Sequence, residues 1–140
     1  MKRIKHYAAK HPEGTEINPE IAQAIKLKLS DNRISCAALH KIVNELGVSP
    51  VETGKTLDLL DHRISKCLLG LFGYEKKILR PVQNPEPELA HSIKTFLIAK
   101  ALPCADAWKI ADDFKITKRR VAEVCDALKI KIKPCQLGAF

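Results

Sequence analysis

Two groups of residues in this chain of 140 have types and spacing suited to chemistry. The first is a run of cations, Lys118-Arg119-Arg120, which directly follows Thr117 and is followed three residues later by Glu123. Lysine and arginine bind phosphate oxygens and guanine edges. Cations are unfavourable near the positive end of a helix, so a run placed where a helix is predicted to begin indicates an anionic partner.

The second group is four of the five cysteines, which form two pairs with the same spacing of 31 residues: Cys36 with Cys67, and Cys104 with Cys135. Four thiolates could hold a metal ion or an iron–sulfur cluster, and two could form a redox disulfide. The odd number of cysteines and the lack of a CxxC pair favour reduced thiols instead. Because buried cysteine behaves as a small apolar residue, we expect these thiols to pack in the core, with a metal or redox site as the alternative.

The histidines and glycines give no support for catalysis. The five histidines lie in no Ser/Asp or Cys/His motif, and there is no glycine-rich phosphate loop. We therefore expect that the protein is not an enzyme and that it needs no cofactor.

The composition is that of a soluble globular protein with a basic balance. Hydrophobic residues make up 46% of the chain, but no apolar run approaches the roughly 20 residues that span a bilayer. The first residues are basic without an apolar segment after them, so we expect a cytoplasmic protein without a secretory signal. The net charge of +8 makes nucleic acid the first partner to consider, and the excess is larger in residues 73–140, with 13 basic and 8 acidic side chains.

A sequence duplication organises most of the chain. Residues 19–72 align with residues 87–140 without a gap, at an offset of 68, and 17 of the 54 aligned pairs are identical. Both copies end in the pattern Cys-x-Leu-Gly-x-Phe. The sequence thus predicts an N-terminal extension (1–16), a first repeat (17–72), a proline-rich linker (73–86) and a second repeat (87–140).

Each copy is predicted to contain three helices and a terminal strand. Pro19 and Pro87 suit the first turn of the first helix, and Ser35 is a good N-cap for the second. The residues Gly47-Val48-Ser49-Pro50 predict a left-handed helix end, a cap and a new helix. We expect Leu46 and Phe114 to be buried before this turn, and the alternating residues 63–67 and 131–135 to form short strands.

With these elements in place, the segment from Ala38 to Val51 resembles the helix-turn-helix and winged-helix DNA-binding superfamily. The resemblance covers residues 19–67 and 87–135 and implies a mainly α protein of two tandem winged-helix-like repeats. Members of this superfamily read duplex DNA with the solvent face of the helix after the turn. The resemblance therefore places the DNA contacts of the second copy at Thr117, Lys118, Arg119, Arg120 and Glu123.

The equivalent residues of the first copy include Pro50, Val51 and Glu52, which make a poor surface for a polyanion. We therefore expect a transcriptional regulator that binds duplex DNA mainly through the second repeat, as a monomer or a homodimer and without membrane contact. Two alternatives stay open: an adaptor whose repeats dock a protein partner, and a sensor that uses the four shared cysteines to bind metal or respond to redox state.

Overall fold

The computed structural model describes residues 16–139, which fall into two compact units with the boundary between Ser65 and Lys66. The described residues form six helices and two short parallel sheets of two strands each. The boundary lies earlier in the chain than the end of the first sequence copy, so the residues that follow Ser65 belong to the second unit. The predicted extension at residues 1–16 lies outside the described residues except for Glu16.

The first unit contains three helices and one pair of strands. Their order is α1 (Pro19–Lys28), β1 (Arg33–Ser35), α2 (Cys36–Leu46), α3 (Pro50–Leu59) and β2 (Arg63–Ser65). The strands β1 and β2 pair in parallel, with Ile34 opposite Ile64. The sequence predicted β2, although two residues too long, and did not predict β1.

The second unit has the same order of elements: α4 (Pro87–Thr95), β3 (Ala101–Leu102), α5 (Cys104–Phe114), α6 (Lys118–Ala127) and β4 (Lys131–Ile132). Each of these elements begins 68 residues after its counterpart in the first unit, as 87 follows 19 and 118 follows 50. The strands β3 and β4 also pair in parallel, with Leu102 opposite Ile132. None of the helices within residues 16–139 is long and apolar enough to cross a membrane.

Side-chain caps explain where the helices of the first unit begin. The Asn18 carboxamide oxygen accepts from the backbone N–H of Glu20 at 3.0 Å, and the Ser35 and Ser49 hydroxyls each accept from a backbone N–H three residues later at 3.1 Å. Gly47 ends α2 in the left-handed region, with φ of 64°. These caps satisfy N–H groups that a helix end leaves without an internal partner, as predicted for Ser35, Gly47 and Ser49.

The core of the second unit includes residues from outside the second sequence copy. Cys67 and Leu69, at 4% and 0% exposure, are part of the same buried cluster as Ile93, Leu102 and Ile110. The partly buried Phe72, Leu79 and Val82 pack against this cluster. The second unit is therefore completed by a segment that precedes α4 by some twenty residues.

One predicted core residue is wrong. Leu46 is 37% exposed, whereas Leu39 and Ile42 on the same helix are fully buried. Leu46 is the last residue of α2, one turn beyond Ile42, and its side chain stays partly uncovered there. Phe114, its counterpart in α5, is partly buried against the core of the second unit.

Candidate nucleic-acid interface

The turn between α5 and α6 positions the cationic run. Lys115 ends α5 in the left-handed region, with φ of 56°, although it carries a side chain. Thr117 then caps α6: its hydroxyl accepts from the backbone N–H of Arg120 at 3.1 Å. The predicted cap is confirmed, and the first turn of α6 begins with three basic side chains, Lys118, Arg119 and Arg120.

Lys118 lies over an aromatic ring on the preceding helix. Its ammonium nitrogen is 4.7 Å from the centre of the Trp108 ring, which is within the range of a cation–π interaction. The lysine side chain is therefore held beside α5. Trp108 takes the place of His40 in the first copy, and nothing in the sequence indicated this contact.

Arg119 is the most accessible of the three cations. Its side chain is exposed and makes no ion pair with any residue of the described part of the chain. The aliphatic stem lies close to Gly70, since a Cβ placed on Gly70 would be 3.2 Å from Arg119 Cγ. The stem is thus supported while the guanidinium reaches solvent.

Arg120 is engaged within the unit. Its Nη2 donates to Glu86 Oε1 at 3.1 Å, with side-chain exposures of 36% for the arginine and 59% for the glutamate. The backbone N–H of Glu86 and then the Arg120 guanidinium lower the pKa of the Glu86 carboxyl. Arg120 can contact another anion only by sharing or leaving this exposed pair.

The structure separates Glu123 from the other predicted contacts. It is only 7% exposed, and its Oε2 accepts from the backbone N–H of Arg80 at 2.7 Å. A buried carboxylate bonded to the backbone stabilises the connection before α4, so we do not include Glu123 in the candidate interface.

A shallow groove of about 360 Å³ borders the cationic run. Gly70, Tyr74 and Ile78 form one side of it, and Thr117, Lys118 and Arg119 the other. The Tyr74 hydroxyl donates to the backbone carbonyl of Cys67 at 3.0 Å, which holds this side in place. The groove was not predicted, because it depends on residues that the sequence assigned to the end of the first repeat and to the linker.

The first unit presents a different surface at the equivalent helix start. Val51 is 67% exposed at the position equivalent to Arg119, and Glu52 accepts from the Asn18 side-chain N–H at 3.1 Å. An exposed valine beside a glutamate offers no attraction for phosphate. This agrees with the expectation that the first copy is a poor surface for a polyanion.

The five cysteines are all buried and free. Burial raises the pKa of the Cys104 thiol, and burial also raises the pKa of Cys125 to about 12. Gln136 approaches Cys104, with 3.7 Å between Nε2 and Sγ, and Cys67 and Cys135 are near enough to act electrostatically on that thiol. Of the predicted pairs, Cys104 and Cys135 are thus brought together, whereas Cys36 is buried in the first unit and Cys67 in the core of the second.

Within residues 16–139, no group of three or more His, Cys, Asp or Glu side chains is arranged to hold a metal ion. Thiols with raised pKa values stay protonated at neutral pH and are poor metal ligands and poor nucleophiles. The described cysteines Cys36, Cys67, Cys104 and Cys135 therefore have the environment of packing residues.

Comparison of the chain with protein-family models, curated proteins and solved structures finds no match.

Proposed function

We propose that this protein binds duplex DNA through the first turn of α6 and acts as a transcriptional regulator. The observation that carries the proposal is Arg119: it lies at the start of the second helix of a helix-turn-helix arrangement, exposed and without an ion pair among the described residues. A cation in that place is unfavourable toward the helix dipole and has no partner in the described structure that offsets this. An external anion would supply one.

The order of elements supports the same proposal. In each unit two helices are joined by a tight turn with a residue in the left-handed region, and a strand follows. We infer that the two units are tandem winged-helix-like repeats, because they share sequence and element order at the offset of 68. In helix-turn-helix proteins the N-terminal residues of the second helix contact base edges in the major groove.

The charge distribution favours the second unit as the one that binds. Residues 66–140 contain 14 basic and 8 acidic side chains. The residues nearest to Arg119 are Thr117 and Lys118, which provide a hydroxyl and an ammonium group for phosphate oxygens. In the first unit the corresponding position is the exposed Val51, so we expect that unit to contribute little to DNA affinity.

The proposal is tested by measuring the affinity of the full chain for a labelled 30-base-pair duplex between 50 and 200 mM salt. If phosphates are contacted, the logarithm of the binding constant falls linearly with the logarithm of salt concentration, and each contact adds about 0.9 to the slope. Arg119→Ala should weaken binding and reduce the slope by about 0.9. The matched control is Lys94→Ala, which removes an exposed positive charge from the last turn of α4 and should leave the slope unchanged.

Two further variants make the test specific for α6. Arg120→Ala should weaken binding less than Arg119→Ala, since Arg120 is already paired with Glu86. Glu52→Ala, in the first unit, should weaken nothing. No binding at 50 mM salt, or equal losses for Arg119→Ala and Lys94→Ala, would overturn the proposal and leave a protein-docking adaptor as the better interpretation.

A further inference from the structure

A second groove of about 610 Å³ lies in the second unit, away from the residues that begin α6. Most of its lining is apolar: Leu71, Phe72 and Leu79 come from the segment after Cys67, and Ala122, Cys125 and Ile132 come from α6 and β4. A volume of this size falls within the range of about 300–1,000 Å³ that is usual for small-molecule sites.

The charged groups at this groove are not balanced. Lys131 and Lys133, on either side of Ile132, line the groove, and neither makes an ion pair with a residue in the described range. Asp126 is the acidic residue of the lining, and Lys77 lies 3.6 Å from its carboxylate. The lysines therefore leave an excess of positive charge beside an apolar surface.

The arrangement of β4 explains how the two kinds of surface meet. Side chains alternate along a strand, so Ile132, at 7% exposure, packs inward while Lys131 and Lys133 are exposed. Lysine can lay its methylene stem along apolar surface and keep its ammonium group in water. A ligand lying in the groove would meet hydrocarbon along its length and positive charge at one end.

We propose that this groove binds a medium-chain fatty acid, with the aliphatic chain against Leu71, Phe72 and Leu79 and the carboxylate at Lys131 and Lys133. The apolar body is required because most of the lining is hydrocarbon, and a single anionic head is required because the excess charge lies at one edge. The wall adds no negative charge at neutral pH, since burial raises the pKa of the Cys125 thiol to about 12. This site does not depend on the proposed DNA binding.

Calorimetric titration of the full chain with decanoate, below its micelle concentration and without DNA, tests the proposal. Decanoate should bind, and decanol, which has the same chain without the charge, should bind more weakly. The variant Lys131→Ala/Lys133→Ala should weaken decanoate binding by roughly fivefold to tenfold, the size expected for two exposed charge contacts, and should leave decanol binding unchanged. The control Lys94→Ala/Lys109→Ala removes two exposed lysines that do not line the groove and should change neither.

A series from hexanoate to decanoate tests the apolar contacts separately. Each added methylene that enters the groove should raise affinity by up to about fourfold. Three outcomes would overturn the proposal: no binding of decanoate, equal binding of decanoate and decanol, which would indicate a neutral apolar ligand, or equal effects of the two double variants. Affinity that does not change with chain length would likewise show that the groove is not occupied.

Discussion

The carboxylate of Glu123 accepts a hydrogen bond from the backbone N–H of Arg80, with 2.7 Å between Oε2 and N. The bond joins the middle of α6 to the connection that precedes α4, and Glu123 is only 7% exposed. Glu123→Ala would leave that N–H without its acceptor, so we expect the free energy of unfolding to fall by about 1–3 kcal/mol. Urea denaturation measures it, with Glu123→Gln, which keeps an acceptor oxygen, as the milder comparison. A loss for alanine as small as that for glutamine would contradict the role given to this bond.

The two glycines of the Cys-x-Leu-Gly-x-Phe patterns form a matched pair for a second prediction. Gly70 and Gly138 have nearly the same left-handed backbone, with φ of 78° and 77°. A Cβ on Gly70 would lie 3.2 Å from each of Arg119, Ile78 and Leu79, whereas a Cβ on Gly138 would meet nothing within 4 Å.

We therefore expect Gly138→Ala to destabilise by the backbone penalty alone, about 1–2 kcal/mol, and Gly70→Ala to destabilise by more than Gly138→Ala. Thermal or urea unfolding of the two variants provides the comparison. Equal losses would show that the surroundings of Gly70 adjust freely to an added methyl group.

A third prediction concerns the two leucines of α2. Leu39 is fully buried and Leu46 is 37% exposed. Leu39→Ala should lower the free energy of unfolding by about 2–5 kcal/mol, because it removes buried methyl groups and leaves a cavity. Leu46→Ala should lower it by less than about 1.5 kcal/mol, since much of that side chain is already in water. The order of the two losses in urea denaturation is decisive, and a larger loss at Leu46 would contradict the burial of α2.

A fourth prediction follows from the Cys125 thiol, whose pKa is raised from 9.0 to about 12 by burial. The unfolded chain loses this proton at lower pH than the folded protein does. The contribution of Cys125 to stability is therefore constant below about pH 9 and falls as the pH rises toward 12. Lysine and tyrosine also titrate in this range, so the parent must be compared with Cys125→Ala. The stability difference between the two proteins should change in favour of the variant from pH 9 to pH 11 in urea denaturation, and a constant difference would exclude the effect.

The sequence predicted the local features of the fold well. Proline, serine, threonine and glycine at helix ends act on their own backbone, so the caps at Ser35, Ser49 and Thr117 and the left-handed Gly47 could be predicted from neighbouring residues alone. The strands β1 and β3 were missed because they are only three and two residues long and exist through pairing with β2 and β4.

The candidate site was predicted only in part, for a similar reason. The positions of Lys118 and Arg119 on α6 follow from helix periodicity. The partners of Lys118, Arg120 and Glu123 are Trp108, Glu86 and the Arg80 backbone, and two of these lie more than 30 residues away in sequence. Such contacts depend on tertiary packing, which a single sequence does not specify.

The position of the boundary after Ser65 has a consequence for how this chain has evolved. Cys67 and Leu69 belong to the first copy of the duplicated sequence but are part of the core of the second unit. A deletion that removed the first copy from the gene would also remove these two residues from the unit that remained. Selection for a folded product would act against such deletions, so the two halves of the duplication are inherited together even where only one of them binds a ligand.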